Sequence, residues 1–119
     1  IFAAGLKYNF TDNFRMAVES GVRVAMGTDA AVGEHGTNAE ELRLMVENGM
    51  TPMQAIVAST RTASECVHMA ADVGTLEAGK LADLLVVDGN PLDDIGVLED
   101  KDKLLMIMQA GTAHKDLVT

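Results

Sequence analysis

An α/β fold is what this 119-residue sequence predicts, and three observations carry that reading. An amphipathic stretch, a glycine and a run of β-formers follow one another without a break over residues 14–26. Three helix-start signals then crowd into residues 37–65. After residue 80 the period changes, and short β-rich runs bounded by turn residues replace the helices.

Taken in order, Thr11-Asp12-Asn13 precede Phe14-Arg15-Met16-Ala17-Val18-Glu19-Ser20-Gly21, an N-cap, a short helix and a terminating glycine. Val22 to Met26 follow at once as a core strand, so helix, tight turn and strand make the second half of a βαβ unit. Thr37-Asn38-Ala39-Glu40 fits a capping box, and its helix carries Leu42, Met45 and Val46 before stopping at Asn48-Gly49. Thr51-Pro52-Met53-Gln54 is a second box with proline at the first helical position, its helix running to about Thr60. Thr62-Ala63-Ser64-Glu65 is a third, opening a short helix that ends before Gly74. Leu81 to Asp88 reads as a strand closed by Gly89-Asn90-Pro91. Leu104 to Gln109 is another, and Ala110-Gly111 turns the chain into a last short strand near His114. The acidic run Asp93 to Asp102 is expected to be a solvated loop.

The stretch with most chemical interest is Val22-Arg23-Val24-Ala25-Met26-Gly27-Thr28-Asp29-Ala30. Alternation puts Val22, Val24 and Met26 on one face and Ala25, Gly27 and Asp29 on the other. The small second face leaves room around a carboxylate at the strand's C-terminal end, where α/β folds gather their catalytic groups. An ordinary turn or capping aspartate fits the same position. His35 follows in the loop leaving this strand, at the same mouth, and a solvated loop histidine fits it equally. A strand of this parallel type needs neighbours on both edges and helices on its faces. The strands after residue 80 belong to another layer, so the chain, which opens on Ile1 rather than Met, reads as the C-terminal end of something larger.

Composition excludes more than it selects. The formal net charge of −9 argues against a nucleic-acid groove or an anionic membrane surface. Eight methionines against 3% aromatics suit flexible core filler, and their scatter makes no binding stripe. The single cysteine, Cys66, has no internal disulfide partner and is expected to be a buried structural thiol. No secretory signal or membrane span stands out, and the expectation is a soluble, cytoplasmic protein.

Several motif readings fail on their own terms. Gly74-Thr75-Leu76-Glu77-Ala78-Gly79-Lys80-Leu81 approaches a phosphate-binding loop, but Leu81 replaces the hydroxyl that would hold magnesium. A helix precedes it and a strand follows, the reverse of what such a loop needs. No calcium-loop spacing exists around Asp88 and Asn90, since Leu92 stands where a ligand is required. His35, His68 and His114 form no HxH or HExxH pair. His68 is expected to be structural within a helix, and His114 exposed. Nothing supports nucleophilic catalysis by serine or cysteine.

Gly21 to Ala30, then His35-Gly36 and Asn38-Ala39-Glu40, resemble the eighth barrel strand and following loop of the metal-dependent amidohydrolase superfamily. The likeness is greatest to its Xaa-Pro dipeptidase (prolidase-like) and carboxypeptidase branch. Asn48 to Ile56 resembles the helical segment that follows there, and Gly74 to Leu84 the return into that superfamily's small β domain. The match spans nearly the whole chain in the family's order. Ala31 and Glu34 stand where glycine and often proline are expected, which leaves the loop's shape and substrate choice open.

The resemblance implies the C-terminal segment of a (β/α)8 TIM barrel plus part of a small β-sandwich domain. Residues 1–73 would be the last strand and C-terminal helices of the barrel, and 74–119 strands of the β domain. It implies Asp29 as a metal ligand that handles the proton of the attacking water; His35, six residues on in a loop that should overhang the barrel mouth, is the candidate substrate contact. The intact enzyme would hold one or two divalent metals, zinc above all, and hydrolyse amide or peptide C–N bonds in small substrates. The family's other ligands match no position here, so this segment alone is expected to carry no metal and to be inactive. Its partner would be the missing N-terminal barrel portion, with a homo-oligomer possible. A stand-alone, non-catalytic binding or structural module is the alternative, and a deaminase of the same superfamily is a third reading.

Overall fold

The computed structural model describes residues 10–28 and 35–118. Four helices come first: α1 (Phe10–Glu19), α2 (Glu40–Glu47), α3 (Pro52–Ser59) and α4 (Arg61–Cys66). Three strands follow, β1 (Leu84–Val87), β2 (Leu104–Gln109) and β3 (Thr112–Asp116), with a 3-10 helix at Ile95–Leu98 between the first two. No helix among the described residues is long and apolar enough to cross a membrane.

The helices form where local chemistry is unambiguous. Thr51 caps α3 in both directions: the Gln54 N–H donates to Thr51 Oγ1 at 3.2 Å, and the Thr51 N–H donates to Gln54 Oε1 at 2.8 Å. Pro52 opens that helix, where its missing N–H costs nothing. α2 ends at Asn48, and Gly49 follows at φ +118°, a left-handed conformation that lets the chain turn back. Leu42 and Met45 of α2, Met50, and Ala55 and Ala58 of α3 are buried together with Ile95. Phe14 and Val18 of α1, at i and i+4, pack on this cluster beside Val24 and Met26. The core therefore lies among α1, α2, α3, the segment after α1 and the 3-10 helix.

β2 is the central strand of an antiparallel sheet with order β1-β2-β3. Leu85 of β1 faces Ile107, which faces Lys115 of β3, so these three share one face. Ala110 (φ 48°) and Gly111 (φ 79°) make the two-residue turn of the β2–β3 hairpin, whose right-handed twist favours this left-handed pair. Asp83 fixes the turn by accepting the Ala110 N–H at 2.7 Å.

Five expectations are corrected. Residues 22–26 do not form a strand among the described residues. A parallel-type strand exists only through its ladder, and here one Met26 N–H donates to the Ala58 carbonyl at 3.0 Å instead. The boxes at Thr37 and Thr62 do not close, because α2 opens at Glu40 and α4 at Arg61, so neither threonine is the N-cap, and the glutamates turn to arginines. Glu40 accepts from Arg43, while Glu65 accepts from Arg61 and Arg23. α2 instead has Ala39 at its N-cap and α4 has Thr60, neither with a side-chain cap bond. His68 lies past the end of α4, exposed and left-handed at φ 60°. Cys66 is exposed, since α4 buries only Ser64. The acidic run contains the 3-10 helix, capped by Asp94 Oδ1 on the Gly96 N–H at 2.9 Å, which turns Ile95 into the core.

Candidate functional site

Asp29, the candidate catalytic and metal-ligating residue, lies outside the described residues, so its flanks define the site. On the upstream side, Val24 and Met26 are seated in the core and the Met26–Ala58 hydrogen bond ties the segment to α3. Among the described residues, a side chain added at Gly27 would meet nothing within 4 Å.

On the downstream side His35 and Gly36 form an exposed turn, Gly36 with φ +90°. The carbonyls of Thr37 and Asn38 accept the Glu40 and Glu41 N–H groups at 3.0 and 3.3 Å, starting α2. Met26 and Gly36 both line a groove of about 810 Å³ between the helices and the sheet face of Leu85 and Ile107. The described ends of the Asp29 segment thus meet one groove. His35 makes no hydrogen bond to another described residue and stands at its edge in sequence, one position before Gly36.

No group of three histidines, cysteines or acids among the described residues could hold a metal ion. A catalytic zinc site needs three protein ligands, so the described residues do not by themselves fit one. His68 and His114 are exposed and bring nothing to the groove.

Charge is concentrated in an ion-pair hub that the sequence reading did not single out. Arg43 on α2 spends all three guanidinium nitrogens on carboxylates: Nη1 on Glu47 at 2.6 Å, Nε on Glu99 at 2.9 Å and Nη2 on Glu40 at 3.1 Å. The Glu47 hydrogen bond and charge, with the Glu99 charge, hold the guanidinium pKa above its ordinary value. Glu40 and Glu47 flank Arg43 at three and four residues, a spacing visible in the sequence. Glu99 is 56 residues away, and no local signal announces it.

With this geometry in hand, comparison with known proteins is informative. A family model described as the amidohydrolase family matches residues 7–113. Ochratoxinase of Aspergillus niger is 38% identical over 104 residues, which covers 86% of this chain and 21% of that protein. Imidazolonepropionase of Shouchella clausii is 33% identical over 104 residues, covering 83% of this chain and 23% of that protein. Among solved structures, a Xaa-Pro dipeptidase with methionine bound in its active site superposes with a TM-score of 0.82 at 44% identity. That match covers 88% of this chain and 25% of the dipeptidase. The chain therefore spans about a fifth to a quarter of the length of these relatives. The family match runs through α1 to β3, takes in both flanks of Asp29, and agrees with relatives found independently by sequence and by structure: this chain belongs to the amidohydrolase family.

Proposed function

We propose that the chain is the C-terminal portion of a metal-dependent amidohydrolase that cleaves amide or peptide C–N bonds, in the manner of a dipeptidase or carboxypeptidase. The observation that carries this is the 44% identity to a Xaa-Pro dipeptidase across 88% of the chain. On this reading residues 1–73 supply the last strand and closing helices of a (β/α)8 barrel, and 74–119 supply strands of a small β domain. The rest of the barrel is the partner that completes the site, and a small peptide or amide is the substrate.

Asp29 does the chemistry that this segment contributes. A carboxylate there can act both as an anionic ligand and as a hydrogen-bond acceptor. The oxygen of the attacking water adds to the carbonyl carbon while one water proton passes to an Asp29 oxygen. That proton then goes to the amine nitrogen as the C–N bond breaks, leaving a carboxylic acid and an amine. One or two divalent metals, zinc above all, would be held by Asp29 with ligands from the rest of the barrel and would supply the Lewis acidity that activates water. His35, in the turn at the groove's edge, contacts the substrate rather than the metal.

The test is hydrolysis of a panel of dipeptides and N-acyl amino acids by the full-length protein, before and after chelation and with zinc restored. Metal-dependent release of free amine is expected. A full-length protein that cleaves none of them with any divalent metal contradicts the reading and favours a non-catalytic module.

A further inference from the structure

The helix that follows the His35–Gly36 turn starts without a side-chain cap, since Ala39 occupies the N-cap. A helix start without a cap frays unless something else fixes it. Besides the Thr37 and Asn38 carbonyls that accept its first N–H groups, Arg43 in the first turns of α2 ties this start to another element. Two of its partners, Glu40 and Glu47, are on the same helix and hold the guanidinium along the helix surface. The third, Glu99, directly follows the 3-10 helix. That 3-10 helix is anchored in turn, because Ile95 is buried in the cluster that contains Leu42 and Met45.

The segment after the 3-10 helix makes a second approach at the turn itself. A side-chain carbon built on Gly36 would lie 3.7 Å from Lys101 Nζ. Lys101 is fastened to the sheet, because Lys115 Nζ on β3 donates to the Lys101 carbonyl at 2.6 Å. Residues 99–101 thus touch both the first half of α2 and the turn that precedes it. Without the guanidinium, three carboxylates from two elements would be left facing one another, and repulsion would part α2 from Glu99. A lysine restores the charge but cannot reproduce a planar fork with three separate donors.

We propose that Arg43 is a positioning residue: by bonding Glu99 it locks the start of α2, and with it the His35–Gly36 turn, in the place from which that turn meets substrate. The proposal rests on the reading of His35 as a substrate contact in an amidohydrolase. It differs from a plain stabilising role because its effect falls on substrate affinity and on one turn, not on the whole fold.

The experiment uses the metal-loaded full-length protein and the variants Arg43→Met, Arg43→Lys, Glu99→Gln and Arg43→Met/Glu99→Gln. Arg61→Met, which breaks an exposed pair with Glu65 on α4, is the control. KM and kcat for a dipeptide, and hydrogen exchange of the amides of residues 36–42, are measured well below the melting temperature. Arg43→Met and Glu99→Gln both remove the partly exposed Arg43–Glu99 pair that links the two elements and should raise KM about two- to fivefold, with kcat within about twofold. Exchange at residues 36–42 should quicken by a similar factor. Arg43→Lys should fall between these and the parent, the double variant should be no worse than the worse single one, and Arg61→Met should match the parent. Unchanged KM and exchange in Arg43→Met, or an equal rise in Arg61→Met, overturns the proposal. A full-length parent that hydrolyses no amide removes the functional reading and this proposal with it. An active parent with an indifferent Arg43 removes this proposal alone.

Discussion

Gly74 and Gly79 offer a controlled test of how the chain leaves its helices for its sheet. Both sit in the stretch Gly74-Thr75-Leu76-Glu77-Ala78-Gly79-Lys80, and both are left-handed, at φ +95° and +92°. Alanine at either position meets the same backbone penalty, about 1–2 kcal/mol. Their surroundings differ. A Cβ on Gly79 meets nothing within 4 Å, whereas one on Gly74 would lie 2.2 Å from Ser64 Oγ, 2.7 Å from Ser64 Cβ and 3.1 Å from the Thr60 carbonyl. Ser64 is 5% exposed and its hydroxyl donates to the Arg61 carbonyl at 2.7 Å. It cannot yield without breaking that bond, a loss of about 1 kcal/mol, and overpacking adds about 1–3 kcal/mol. Gly74→Ala should therefore destabilise by about 3–6 kcal/mol and Gly79→Ala by about 1–2 kcal/mol. Urea denaturation of the full-length protein reads the difference as a shift in midpoint at constant slope. Ser64→Gly removes both nearest atoms, so in that background the cost of Gly74→Ala should fall towards that of Gly79→Ala. Equal costs for the two alanines in the parent background would refute the packing argument.

Two further predictions concern the site and the isolated chain. In the full-length enzyme His35→Ala should change kcat/KM for one class of substrate while metal content stays the same; identical kinetics across the substrate panel would return His35 to the role of a solvated residue. The 119-residue chain on its own should bind no stoichiometric zinc, because the family resemblance supplies Asp29 alone as a ligand and a tight site needs three. It should also self-associate through its exposed apolar residues, among them Phe10, Met16, Val22 and Leu76. Elemental analysis and light scattering check both, and a monodisperse, cooperatively melting monomer with one zinc per chain would overturn them.

Much of the fold was legible because it is written locally. α2 follows from apolar spacing and the glycine after it, α3 from its capping pair and Pro52, each within about ten residues, and β2 from an unbroken apolar run. What failed depended on partners distant in sequence. A strand at 22–26 is defined by neighbours that its own residues do not supply. The boxes at Thr37 and Thr62 are complete as patterns, yet α2 takes Ala39 and α4 takes Thr60 as its N-cap, and Arg43, Arg61 and Arg23 hold the glutamates. Ile95 is one apolar residue in an acidic run, and only the buried face of α2 explains why it turns inward. At the site, the small residues around Gly27 hinted at space beside a carboxylate. The roles of Asp29 and His35 came from family resemblance, since a turn aspartate and a loop histidine look the same in isolation. Arg43 was half legible, its helical partners being at fixed spacing and Glu99 being reachable only through the fold.

The most direct test of the central claim, that Asp29 handles the proton in amide hydrolysis, is the turnover of Asp29→Asn in the metal-loaded full-length enzyme, with metal content measured on the same samples. Asparagine keeps the size and removes the proton acceptor. Turnover should fall by about 10²–10⁴-fold, the range for losing a general base, while metal occupancy falls much less because other ligands remain. Near-parental turnover in a variant that retains its metal would contradict the account.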